Sequence, residues 1–296
     1  MSFSKLSRLL LSIMLLPVIF SCNARQESSV PASDQLNRII SIGPSNTEIL
    51  VALGFGEKII AADTFSEGIE GIASGISIYS MMSLDLEHII NQEPDIVFVT
   101  GLTFVDGDEE PLRMVSAMGI PVIYIHTSNS IADVIGDIRR IAEVMGAEAE
   151  GALIVSAMER EINRISQIAA TIPQSERRTV YFEISPAPFM YSFGRGTYLN
   201  EMIELTGGEN IFYNRESWMA VPDEILLAAN PDVIISSVDF VEDPVTEILG
   251  RPGWSSITAV QNRSVYTVNA NHSNRPSQNI ILALGEIAKA IYPEYY

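Results

Sequence analysis

Apolar residues recur at steps of three and four along residues 147–172: Ile154, Met158, Ile162, Ile165, Ala169 and Ile172. That is the core-facing stripe of an amphipathic helix. Glu148, Glu150, Glu159, Arg160, Glu161 and Arg164 lie mostly off the stripe, and Pro173 is placed to stop the helix. Such a helix is about 39 Å long at the α-helical rise, too long for one crossover inside a small sheet. On both sides the pattern changes to short runs that are apolar on both faces. Residues 39–42, 59–62, 96–100 and 121–125 alternate with helical stretches at 47–53, 86–92, 110–118 and 131–145, the last closed by Gly146. Residues 179–183, 233–236 and 265–268 alternate with helical stretches at 198–205, 223–229 and 277–291. Strands apolar on both faces, separated by helices, predict parallel sheets covered by helices.

A motif recurs on the two sides of the long helix. Glu87 is followed seven residues later by Pro94-Asp95 and the run Ile96-Val97-Phe98-Val99, and Glu224 by Pro231-Asp232 and Val233-Ile234-Ile235 at the same spacing. Each reads as a short helix, a Pro-Asp turn and a buried strand. The fold class expected is therefore α/β, with two Rossmann-like lobes joined by one long helix and a ligand cleft between the lobes. The boundaries are 38–146 for the first lobe, 147–172 for the bridging helix and 173–296 for the second lobe.

The N-terminus stands apart. Lys5 and Arg8 precede an apolar run from Leu9 to Phe20, too short to span a membrane and shaped like a signal peptide. The run ends at Ser21-Cys22, and Cys22 is the one cysteine of the chain. A small residue directly before that cysteine resembles a lipobox, which implies cleavage after residue 21 and lipidation of Cys22. Residues 22–37 are polar and read as a tether. One cysteine leaves no intrachain disulfide, so the core alone must hold the exported chain. The net charge is −19, and cleavage removes two cations and no acid. So acidic a surface excludes nucleic acid as a partner and suits docking to a basic partner.

In open α/β sheets ligands sit beyond the carboxyl ends of the strands. The loops there include 43–47, 63–65, 101–104, 126–127, 188–191, 238–240 and 271–275. They are rich in aromatic residues and poor in charge, which suits a flat or apolar ligand held by shape. Ser45 and Thr47 read as helix N-caps, with Glu48 in the first turn. There is no G-x-S-x-G element and no phosphate-binding glycine loop, and the three histidines are scattered. His126 and His272 fall in cleft loops, as hydrogen-bonding residues or as ligands to an iron, and His88 reads as solvated. No catalytic residue, resident cofactor or metal site is expected.

The stretch Arg38-Ile39-Ile40-Ser41-Ile42-Gly43-Pro44-Ser45-Asn46-Thr47-Glu48-Ile49-Leu50 resembles the opening of the substrate-binding proteins of ABC importers for ferric siderophores, haem and cobalamin. So do Glu87 through Asp95, Gly207-Gly208-Glu209-Asn210, Glu224 through Asp232 and Arg251-Pro252-Gly253-Trp254, in order. The resemblance runs from Arg38 to Pro293 and implies two lobes bridged by one helix, with delivery of a bound ligand to a membrane permease. It also implies that Glu87 and Glu224 dock to arginines of the importer. Compared with the cobalamin-binding member, Trp218 matches a ligand-contacting tryptophan, Arg275 a contacting arginine and Phe65 a contacting tyrosine, while Tyr191 falls near a contacting phenylalanine. Met81 and Thr100 depart from it, each standing where that protein has tryptophan.

The expected protein is a lipid-anchored, monomeric receptor for a metal chelate, either a cobalamin-like corrinoid or a ferric siderophore. It is not an enzyme. The expected ligand-binding residues are Phe65, Met81, Tyr191, Trp218, Asn271 and Arg275. The alternatives are a haem receptor of the same class, a non-transport sensor lipoprotein, and an enzyme on a related two-lobed fold. A single bridging helix further implies small lobe movement on binding.

Overall fold

The computed structural model describes residues 35–101 and 112–296. The signal sequence, Cys22 and loop residues 102–104 lie outside them.

The first lobe is a five-stranded, all-parallel sheet of β1 (Ile39–Ile42), β2 (Ile59–Asp63), β3 (Ser77–Tyr79), β4 (Ile96–Thr100) and β5 (Val122–Ile125), in the order β3-β2-β1-β4-β5. Its helices are α1 (Pro44–Ala52), α2 (Leu86–Asn91), α3 (Arg113–Ala117) and α4 (Ile131–Met145). Every residue of β1 and β4 is buried, as expected for strands covered on both faces. α4 is closed by a capping box between Ser130 and Asp133 and by Gly146 in the left-handed conformation.

α5 (Glu148–Ala169) follows directly and is the bridging helix. Its 22 residues make it about 33 Å long, shorter than the pattern suggests because the chain leaves the helix before Ile172 and Pro173. Met158 and Ile165 of the predicted stripe are buried, as is Val155 beside it, while Ile154 and Ile162 are half-buried. The buried ones belong to one continuous core that takes in β1 and α4 of the first lobe and, from the second, Val180, Phe182, Leu199, Met202 and Ile287.

The second lobe is a four-stranded parallel sheet of β6 (Thr179–Glu183), β8 (Glu209–Asn210), β10 (Val233–Ser236) and β11 (Val265–Thr267), in the order β11-β10-β6-β8. A separate antiparallel ribbon pairs β7 (Tyr191–Phe193) with β9 (Trp218–Ala220). α6 (Tyr198–Leu205), α7 (Asp223–Ala229), α8 (Pro244–Leu249), α9 (Thr258–Gln261), α10 (Ala270–Asn274) and α11 (Ile280–Ile291) complete it. Among the described residues no helix is long and apolar enough to cross a membrane.

The recurring Pro-Asp motif has a physical job. Asp95 Oδ2 accepts hydrogen bonds from the backbone amides of Asn37 (2.8 Å) and Arg38 (2.9 Å). Asp232 Oδ2 accepts from the Thr179 amide (2.9 Å) and hydroxyl (2.8 Å). In each lobe the aspartate fastens the start of the neighbouring parallel strand. The residue before each proline, Glu93 or Asn230, has φ 47°, so both turns reverse in the same way. Leu36 is fully buried and Asn37 is held by Asp95, so the last residues of the sequence-read tether pack on the first lobe.

Candidate functional site

The carboxyl ends of β1, β4 and β5 face the β7–β9 ribbon and the segment around α10 across a cavity of about 300 Å³. The first lobe contributes Pro44, Ser45, Asn46, Ile49, Thr100, His126 and Asp137 to its wall, and the second Ile184, Tyr191, Tyr198, Trp218, Asn274 and Arg275. Most of this surface is apolar or aromatic.

Each wall has a reason for its shape. Gly43 turns the chain from β1 into α1 at φ 123°, and a Cβ there would meet Thr100 Cβ at 3.0 Å. Glycine fits both the conformation and the close approach. Gly43 is the N-cap of α1, with Pro44 at the first helical position and no side-chain cap. Ser45 and Thr47 are therefore not caps. Thr47 lies inside the helix, its Oγ1 bonding to the Gly43 carbonyl (3.2 Å) and to Ser41 Oγ (2.8 Å), and Ser45 is on the cavity wall. Across the cavity, Trp218 is seated between Phe193 (ring centroids 5.9 Å) and Tyr198 (6.3 Å), both edge-on. Gly194 lets the ribbon close, since a Cβ there would lie 2.3 Å from the Arg215 carbonyl oxygen.

Among the residues picked out in the sequence, Tyr191, Trp218 and Arg275 meet on the cavity wall. Phe65 is exposed beside them, and its carbonyl accepts from Arg275 Nη2 at 2.8 Å. Met81 is buried with Tyr79 and Ile89 in the first-lobe core and does not line the cavity. Asn271 is exposed at the start of α10, while Asn274 at the end of that helix takes the place on the wall. Glu87 and Glu224 are exposed, each in the first turn of its helix, α2 or α7. His88 packs edge-on against Tyr79 at 5.4 Å. His272 Nδ1 bonds Glu286 at 2.8 Å and is not on the wall; His126 is. Among the described residues no group of three His, Cys, Asp or Glu side chains is placed to hold a metal.

Asn46 falls in the cleft loop 43–47 without being singled out by sequence, and it is buried in the first turn of α1. Asp137 and Ser128 lie outside the predicted cleft loops: Asp137 looks like one more charge on α4, yet its Oδ2 accepts from Ser128 Oγ at 2.6 Å on the cavity wall. Burial raises the Asp137 carboxyl above its ordinary value, the Ser128 hydrogen bond pulls it back, Asp133 adds to the rise and His126 opposes it. A carboxyl raised in the folded state stabilises the fold below its ordinary value and loses that contribution as pH climbs through the folded one. Asp137→Asn should therefore match the native chain in acid, near pH 4 or about the ordinary carboxylate value, and gain thermal stability relative to it as pH rises to neutrality. Melts across that range check this, and a difference that stays constant with pH would refute it.

The profile of the family described as Periplasmic binding protein matches residues 39–271. The chain belongs to that family. An ABC transporter substrate-binding lipoprotein of Bacillus subtilis, YvrC, described as uncharacterized, is 30% identical over 88% of this periplasmic binding protein and 81% of its own length. A vitamin B12-binding protein of Vibrio parahaemolyticus is 23% identical over 93% of the chain and 94% of its own length. A possible iron-binding, periplasmic solute-binding protein of Staphylococcus epidermidis superposes with a TM-score of 0.75 at 27% identity, covering 86% of this chain and 98% of that one.

Proposed function

We infer that the chain is the lipid-anchored substrate-binding protein of an ABC importer. It captures a metal chelate, a cobalamin-like corrinoid or a ferric siderophore, and presents it to the permease. The observation that carries this reading is the aromatic cavity between the lobes, with Trp218 and Tyr191 opposite Asn46 and Thr100. Its enclosed volume is at the lower end of the roughly 300–1,000 Å³ of small-molecule sites. A bulky chelate would insert one edge and rest the remainder on the exposed rim, where Phe65 is 60% and Tyr191 41% accessible. Family membership and the substrate-binding lipoprotein relative support transport. Cys22 supports the anchor, and Glu87 and Glu224 are the proposed contacts with the permease. Haem is a second reading, favoured by His126 on the cavity wall.

Trp218 provides the test. It lines the cavity, whereas Trp254 is 1% exposed in the second-lobe core and gives a constant background. Titrating the full chain in detergent with cyanocobalamin, haem and neutral ferric siderophores should give saturable quenching by one of them. Trp218→Ala should weaken that binding by at least about thirtyfold, the roughly 2 kcal/mol of a buried aromatic anchor, read by calorimetry because the variant lacks the responding tryptophan. A Soret shift on haem addition, lost in His126→Ala, would select the second reading. No saturable response to any of these chelates would reject the chelate reading.

A further inference from the structure

The cavity wall holds one arginine among its described residues, and that arginine is committed. Arg275 Nη1 donates to Glu48 Oε1 at 2.9 Å, and Nη2 to the Phe65 carbonyl at 2.8 Å. Glu48 comes from α1 of the first lobe and its side chain is 7% exposed. Its carboxylate also accepts from Ser277 Oγ (2.5 Å) and Asn279 Nδ2 (2.9 Å), and its backbone carbonyl accepts from Gln278 Nε2 (3.2 Å). All of these partners lie in the second-lobe segment leading into α11. Drawing Arg275 away would leave Glu48 a buried charge without its counter-ion, which is strongly unfavourable. An anionic cargo must therefore compete with Glu48 for the guanidinium, and it meets the Asp137 carboxyl on the same wall.

A second observation points the same way. Asn46 lines the cavity and is fully buried, with its Nδ2 donating to the Ile42 carbonyl at 3.4 Å. Its Oδ1 has no hydrogen-bond partner. A buried acceptor without a donor is unfavourable, and an N–H or O–H of the cargo would satisfy it.

We propose that the cleft selects a chelate with no net negative charge that carries its own N–H or O–H donors, and that Glu48 sets this preference by holding Arg275. The proposal rests on the chelate-receptor reading above. Cargo is then chosen by the absence of a free cation among the described wall residues as much as by the aromatic walls.

The test is a charge series on the full chain in detergent: cyanocobalamin, a neutral ferric tris-hydroxamate and a trianionic ferric tris-catecholate, followed by Trp fluorescence. At least one neutral chelate should saturate, with the catecholate weaker by at least about a hundredfold, the scale of an unfavourable charge placement at a binding site. Glu48→Gln frees Arg275 and should narrow that gap to about tenfold or less. Adding Arg275→Gln to it should restore the gap. Catecholate binding within about tenfold of the neutral chelates in the unmodified chain overturns the proposal, as does an unchanged gap in a folded Glu48→Gln protein. The charge ranking needs no variant, so it decides the matter even if the substitution impairs folding. Failure of every probe, haem included, rejects the chelate reading and this proposal together; tight binding of the trianion rejects the proposal alone.

Discussion

Arg251→Met should cost about 3–5 kcal/mol of stability, the penalty for stranding a buried partner charge. Arg251 grips Glu183 with both terminal nitrogens (Nη1 to Oε2 2.6 Å, Nη2 to Oε1 2.9 Å), and its Nε bonds Glu247 at 2.8 Å. The guanidinium is stacked 4.5 Å from the Trp254 ring. The Glu183 side chain is 1% exposed and that of Arg251 5%. Burial pushes the Glu183 carboxyl up, and Arg251 pulls it back. Without Arg251, Glu183 must take up a proton or stay charged in an apolar surrounding. The double variant Glu183→Leu, Arg251→Met should recover most of the loss, because an apolar pair of similar size removes the desolvation problem. Chemical denaturation of the three proteins measures this. A single variant within about 1 kcal/mol of the native chain would show that water reaches Glu183 and hydrates it. The site lies under α7, since Trp254 Nε1 donates to Asp223 Oδ1 at 3.2 Å, so the same contacts steady the helix that carries Glu224.

Charge reversal at Glu87 and Glu224 together should abolish uptake while leaving cargo affinity unchanged. Both carboxylates are exposed, and neither has a salt-bridge partner among the described residues. Reversing exposed, unpaired charges usually changes stability by no more than about 0.5 kcal/mol. Replacing a carboxylate that meets an arginine at a docked surface costs about 2–5 kcal/mol per pair and introduces repulsion besides. The readouts are chelate uptake into cells, quenching titration of the purified chain, and its melting temperature. Parallel loss of uptake and affinity would mean that these residues serve the pocket or the fold instead of the docking face.

Much of the architecture is legible in the sequence because the two lobes rest on strong local signals. β1, β4 and β10 are short β-branched runs and β6 a short β-branched and aromatic one, and α4, α6 and α7 have clear apolar periods or stops. The Pro-Asp motif marks where each sheet is fastened. The β7–β9 ribbon does not show in the sequence because each strand has only three residues, too few for an alternation. The candidate site is half legible. Aromatic residues in loops after strands point to Tyr191 and Trp218, but nothing local shows that Met81 turns into the core. Glu48 read as an ordinary helix acid because its partner Arg275 lies 227 residues away. An amphipathic pattern reports which face is buried, not what a buried polar group meets there.

Among the described residues, side chains tie the lobes at two ends: Glu48 and the Phe65 carbonyl to the segment leading into α11, and Glu201 Oε2 of α6 to the Ile131 amide at the head of α4, 2.8 Å away. A receptor that visits its binding-competent arrangement only rarely has its apparent affinity reduced by that fraction. On the proposed reading, halves already held in register would keep that tax small, and contact free energy would go into grip instead of closure. The work would then shift to unloading, where both ties would resist separation. On the proposed reading the permease would have to do that work, pulling on one lobe through α2 and on the other through α7, and its nucleotide hydrolysis would be the source of the force.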